Sequence, residues 1–131
     1  MDRLFLDANV LVSAALKPDS GLTALWRLDG VRLLASPHVV VEARRNVPDL
    51  AAATRLGSLL TALAVLPVEP ADFRIDDDPG LPDKDRPVLL AAIVSKADFL
   101  LTGDISHFGT CIGRTIASVR ISLPGDYLRS R

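Results

Sequence analysis

Short strand-like runs alternate with helix-patterned segments along this chain, and that alternation limits the fold more than any other feature. The runs fall at residues 3–6, 32–35, 65–68, 98–102 and 119–122. Each has the length of a buried strand and is too short for an ordinary helix. The segments between them carry helix signals. Asn9 is placed to cap a helix reaching Leu16, which Lys17-Pro18-Asp19 stops. Ser20 opens a second helix to Leu28, ended by Asp29-Gly30. Ser36-Pro37 combines a capping hydroxyl with a proline suited to the first helical turn, and that helix carries Glu42 and ends near Asn46. Pro48 opens a longer helix to about Ala64 with leucines along one side, another runs from Lys84 or Asp85 to Lys96, and Pro124 starts a last one through Leu128. Residues 76–82 read as a loop from their aspartates, prolines and glycine.

Strands that alternate with helices require crossover connections, which are right-handed and build a parallel sheet covered on both faces. The expected class is therefore α/β, with a sheet of about five strands sandwiched between helices. At 131 residues, with no repeat or linker, the chain is expected to form one domain. In such sheets ligands bind outside the carboxyl ends of the strands. Asp7 and Asp104 both lie at such ends.

Net charge is −1 and the isoelectric point near 6.1, so no bulk basic field draws in nucleic acid. A protein that holds nucleic acid by net charge alone is disfavoured. An enzyme whose carboxylates are covered by cations is not. One cysteine, Cys111, excludes an internal disulfide and suits a reducing compartment. No apolar run approaches the roughly 18 residues of a membrane span, and Asp2 breaks any secretory pattern. A soluble, cytoplasmic protein is the expectation.

Four segments each offer a carboxylate able to converge on one site. They are Phe5-Leu6-Asp7-Ala8-Asn9-Val10-Leu11, Ser36-Pro37-His38-Val39-Val40-Val41-Glu42, Asp83-Lys84-Asp85-Arg86-Pro87-Val88-Leu89, and Phe99-Leu100-Leu101-Thr102-Gly103-Asp104. Together they resemble the PIN-domain family, which includes the VapC-like toxins of bacterial toxin–antitoxin pairs. The Asp-x-Asn-x-Leu opening and the Thr-Gly-Asp ending are its specific parts, whereas the Glu42 segment is generic alone. The resemblance implies a PIN-like nuclease fold and an acidic quartet at Asp7, Glu42, Asp85 and Asp104. It implies a metal-dependent ribonuclease with RNA as substrate, Mg²⁺ or Mn²⁺ as cofactor, a cognate antitoxin and a homodimer. Asn9, Ser13, Ser106 and Arg86 would support the ligands or touch substrate. Ser106 is a departure, since many of the family carry a further acid there. His107-Phe108 resembles the family's His-Phe.

The chemistry suits these residue types. Hard divalent ions take oxygen ligands, and four carboxylates in one pocket repel one another without cations. Zinc is disfavoured by a single cysteine and two histidines, His38 and His107, without paired spacing.

Plainer readings stand beside these. Glu42 fits a solvated helix face, and Asp85, like Asp83, fits a helix cap. Asp104 fits a turn, and His107 reads more readily as a surface histidine than as a catalyst. Arg44, Arg45, Arg86 and Arg114 could meet RNA phosphates, and Trp26 is a core or dimer-contact residue before it is a stacking platform. Two other functions remain in view. One is a catalytically silent PIN-like module that binds RNA or a protein. The other is a haloacid-dehalogenase-like phosphatase, for which Asn9 stands where the second acid is needed.

Overall fold

The computed structural model describes residues 1–71, 80–83 and 85–131. Most of the loop expected over residues 76–82, and Lys84, lie outside the described residues. The chain opens with β1 (Asp2–Leu6) and α1 (Ala8–Ala15), followed by a 3₁₀ helix, Gly21–Arg27. Next come β2 (Val31–Ala35), α2 (Pro37–Asn46), α3 (Leu50–Leu60) and a short β3 (Ala64–Val65). The last part holds α4 (Arg86–Val94), β4 (Phe99–Leu101) and α5 (Ile105–Phe108), then β5 (Thr115–Ile116), β6 (Val119–Ser122) and α6 (Pro124–Arg129).

The strands form one sheet in the order β3-β2-β1-β4-β6-β5. All neighbours are parallel except β5 and β6, which are antiparallel. The chain thus builds outward from β1 through β2 and β3, then returns to the other side of β1 with β4. The strand order reverses between β1 and β4, where an open α/β sheet leaves a crevice at its carboxyl edge. Leu4, Phe5, Leu6, Leu100, Leu101 and Ile121 are fully buried, as expected for central strands covered on both faces. Trp26 packs against this core and donates its indole N–H to the Leu59 carbonyl at 3.0 Å, so it is not a stacking platform.

Several boundaries differ from the sequence expectation, each for a local reason. Asp7 rather than Asn9 caps α1, its Oδ1 accepting from Ala8 N at 2.8 Å, while Asn9 is already helical. Asp49 caps α3 by accepting from Ala52 N at 2.8 Å, so the helix starts after Pro48 and not at it. Strand pairing beyond β3 stops at Leu66, whose N–H reaches Ala35 O, because Pro67 has no N–H to offer. The segment after Ser20 is a 3₁₀ turn, and the Ser20 hydroxyl donates to Ser13 O instead of capping. The leucines of α3 and of the turn after it serve this chain's own core: Leu56 is buried, Leu59, Leu60 and Leu63 pack against the core, and Leu50 alone among them is broadly exposed.

The sixth strand was hidden by an unusual turn. β5 and β6 are joined by two residues, Ala117 and Ser118, with φ of 49° and 70°. Positive φ at both central positions is the mark of the tight hairpin turn that Asn-Gly fills without strain. Neither residue here advertises it. Replacing Ala117-Ser118 by Asn-Gly should stabilise the fold by about 1 kcal/mol, the lower end of the cost of holding such residues in a left-handed conformation. Urea denaturation should show a higher midpoint at unchanged slope; an unmoved midpoint would mean that the turn stores no strain.

Candidate metal centre

The register of β1 against β4 pairs Leu6 with Leu101, so the next residues, Asp7 and Thr102, leave the sheet side by side. Their contact is direct: Thr102 Oγ1 donates to Asp7 Oδ2 at 2.8 Å, and Asp7 N donates to Leu101 O at 3.0 Å. Asn9 ties the two strand ends further. Its Nδ2 donates to Asp7 Oδ2 at 3.1 Å and to Thr102 Oγ1 at 3.3 Å, and its Oδ1 accepts from Gly103 N at 2.8 Å. Gly103 suits that approach, because an added Cβ would lie 3.3 Å from Asn9 Oδ1. Asp7 is 7% exposed and has three donors on its two oxygens.

Asp104 then caps α5. Its Oδ1 accepts from His107 N at 3.1 Å and from the Ser106 hydroxyl at 2.8 Å, and its Oδ2 lies 2.5 Å from His107 Nδ1. Asp85 stands at the start of α4, 9% exposed, but its side chain does not cap that helix. Instead its Oδ2 faces His107 Nδ1 at 3.7 Å. Asp83, the rival for its role, is exposed and does not line the pocket described next. Glu42 comes from α2, whose N-terminus is held twice: Ser36 Oγ accepts from Val39 N at 3.3 Å, and Glu69 Oε1 accepts from His38 N at 2.8 Å.

These groups surround one pocket of about 370 Å³. Asp7, Glu42, Asp85 and Asp104 all line it, with Asn9, Ser13, His38, Asn46 and His107. The tightest group within it is narrower: Asp85, Asp104 and His107 each offer a donor atom, all within 4.8 Å of one another. Asp7 and Glu42 share the pocket but not that cluster. The Ser106 hydroxyl donates to Asp104, and neither Ser106 nor Arg86, at the first position of α4, is among the residues lining the pocket. Arg44, Arg45 and Arg114 are exposed and line no part of it. His107, which sequence favoured as a surface residue, joins the acidic group; its advance signals were the family-like His107-Phe108 pair and the three-residue spacing from Asp104.

The two central aspartates are tuned in opposite directions. Burial is the largest effect on Asp7 and raises its pKa; hydrogen bonds from Thr102 and Ala8 work against this, and the charges of Asp104 and Asp85 add to it. For Asp104 the desolvation is again the largest single effect and acts upward. Donors from Ser106, the His107 ring and the His107 backbone together outweigh it, so that pKa is lowered.

A family model for the PIN domain matches residues 3–106. A search among curated proteins finds no match. Among solved structures the fold is similar to VapBC2 from Rickettsia felis bound to a DNA fragment from its promoter, with a TM-score of 0.64 and 17% identity over 92% of this chain and 98% of that one. It is also similar to Mycobacterium tuberculosis VapC20, a Sarcin-Ricin loop cleaving toxin, with a TM-score of 0.54 and 18% identity over 79% of this chain and 92% of that one. At such identities the likeness concerns the fold, a mostly parallel sheet flanked by helices. The family match covers most of the chain, including both strand ends of the pocket, and the chain belongs to the PIN-domain family.

Proposed function

We propose that this chain is a metal-dependent endoribonuclease acting on RNA phosphodiester bonds, and the toxin member of a toxin–antitoxin pair. The observation that carries the reading is the meeting of Asp7, Glu42, Asp85 and Asp104, from four separate segments, around one pocket at the sheet's reversal point. The donor set fits Mg²⁺ or Mn²⁺, which take hard oxygen ligands. When bound, such ions supply an activated water and neutralise charge on the leaving oxygen. The chain's own part is to hold the ligands still. Asn9 and Thr102 fix the Asp7 carboxylate, Ser106 and His107 fix that of Asp104, and Ser13 lines the pocket beside them; Arg86 is proposed to meet substrate from outside the pocket lining. A cognate antitoxin completes the reading, supported by the likeness to VapBC2, and a homodimer is proposed with it. A monomer by light scattering at tens of micromolar would remove the dimer.

Purified protein should cut single-stranded RNA with Mg²⁺ or Mn²⁺, and EDTA should abolish cleavage. Asp7→Asn, Asp104→Asn and Asp85→Asn should each lose 100-fold or more (an order-of-magnitude figure for a charged group acting on the transition state), while Asp83→Asn keeps substantial activity. Metal-dependent RNA binding without cleavage would instead identify a silent PIN-like module.

The metal-free protein should also show the cost of Asp7. Its pKa is raised from 3.8 by folding, so its favourable contribution is complete below 3.8 and lost as pH rises through the raised folded value. The lowered Asp104 pKa acts the other way, its contribution lost only as pH falls through a value below 3.8. In EDTA, the stability of Asp7→Asn relative to the unchanged protein should therefore improve from about pH 4 to pH 7. Parallel stability curves would show that Asp7 carries no such cost.

A further inference from the structure

We propose that His107 is itself a cation ligand, joining Asp85 and Asp104 in a mixed nitrogen–oxygen site that takes first-row transition ions such as Mn²⁺ in preference to Mg²⁺. This rests on the reading above that the pocket holds divalent cations, and goes beyond it in naming a donor and a selectivity.

Three atoms converge here. His107 Nδ1 lies 2.5 Å from Asp104 Oδ2 and 3.7 Å from Asp85 Oδ2, and one donor atom of each residue falls within 4.8 Å of the others. The ring is held by its backbone. His107 sits one turn into α5, its N–H bound to Asp104 Oδ1 at 3.1 Å, and the adjacent Phe108 is fully buried. Its Nδ1 is therefore delivered to the two carboxylates by the helix turn, not by a wandering side chain.

The aspartates differ in where their oxygens face and not in how many donors they carry, since Asp104 also accepts from the Ser106 hydroxyl and from His107 N. Asp7 already accepts from Ala8 N, Asn9 Nδ2 and Thr102 Oγ1. Asp104 and Asp85 both turn an Oδ2 toward the same ring nitrogen. In the metal-free protein Nδ1 is in hydrogen-bond contact with Asp104 Oδ2 and faces Asp85 Oδ2. A cation can take the place of that contact, with the ring bound through Nδ1 and protonated on Nε2. Mn²⁺ is the weakest binder of the first-row series and, like Mg²⁺, is at home with carboxylate and water oxygens, but as a transition ion it accepts an imidazole nitrogen more readily than the hard, oxygen-demanding Mg²⁺ does. A site of two carboxylates and one imidazole therefore accepts either ion through its oxygens and favours Mn²⁺ over Mg²⁺ through its one nitrogen donor.

The test uses the full chain with Mn²⁺ as probe, read by pulsed electron paramagnetic resonance. Nitrogen modulation of the Mn²⁺ signal is expected, surviving in His38→Gln and lost in His107→Gln. The glutamine keeps an N–H donor for Asp104 but offers no imidazole nitrogen. By calorimetry, His107→Gln should weaken Mn²⁺ binding about 10-fold, on the scale of lost metal-site interactions, and leave Mg²⁺ binding within about twofold. Bound Mn²⁺ without nitrogen modulation, or equal losses for the two ions, would overturn the ligand role and leave the cation reading standing. Failure of the unchanged protein to bind Mn²⁺ at all would overturn both. Circular dichroism on each variant checks the fold, which a ring about one-third exposed does not hold together.

Discussion

Everything at the pocket depends on the parallel pairing of β1 with β4 and on the hydrogen bonds that lock their carboxyl ends. The register delivers Asp7 and Thr102 together. Asn9 then spans both strands, donating to Asp7 and Thr102 and accepting from Gly103. These bonds are short in reach but join residues more than ninety positions apart in sequence. They turn two strand ends into one rigid platform, and a buried polar network of this kind specifies a single arrangement when its members are satisfied. The flanking acids are set around it by helix starts: Asp85 before α4, Asp104 before α5, and Glu42 on the helix opened by Ser36-Pro37.

The same platform explains the opposite behaviour of two aspartates that follow neighbouring strands. Asp7 is enclosed between β1, α1 and the β4 end, so loss of water dominates its energetics. Asp104 is two residues further from its strand, more open, and surrounded by donors from its own short helix. Residue type does not separate them; the distance from the sheet edge does.

Much of this was legible in sequence because it is local. The alternation of short strands and helices gave the layers, and the Asp-x-Asn-x-Leu opening has a physical meaning at each position. Asp7 caps α1 and meets Thr102, Asn9 bridges the strands, and Leu11 is fully buried in the core. What escaped was not local. Asn9 looked like a cap because the use it makes of its amide lies at Gly103. His107 looked solvated because its second carboxylate neighbour, Asp85, is more than twenty positions away. Strand β5 escaped for the reverse reason: its turn is local but built from residues that do not announce positive φ. The start of α3 was misplaced by one signal outcompeting another, since Asp49 accepts the helix N–H that Pro48 only borders.

The reversal of strand order also sets a timetable for synthesis. β1 and β2 can pair once the first helices have left the ribosome, which completes half of the sheet's centre but no acidic pocket. Glu42 and Asp104 are 62 positions apart (104 minus 42), roughly 3–12 s of translation at ordinary speeds. Throughout that interval Asp7 lacks the Thr102 hydroxyl, Asn9 has no Gly103 to bind, and neither Asp85 nor Asp104 is in place. During that interval the first two acids of the quartet lack the partners that β4 and the segment after it bring. Assembly of the pocket is deferred until the last quarter of the molecule closes against the strand that was made first.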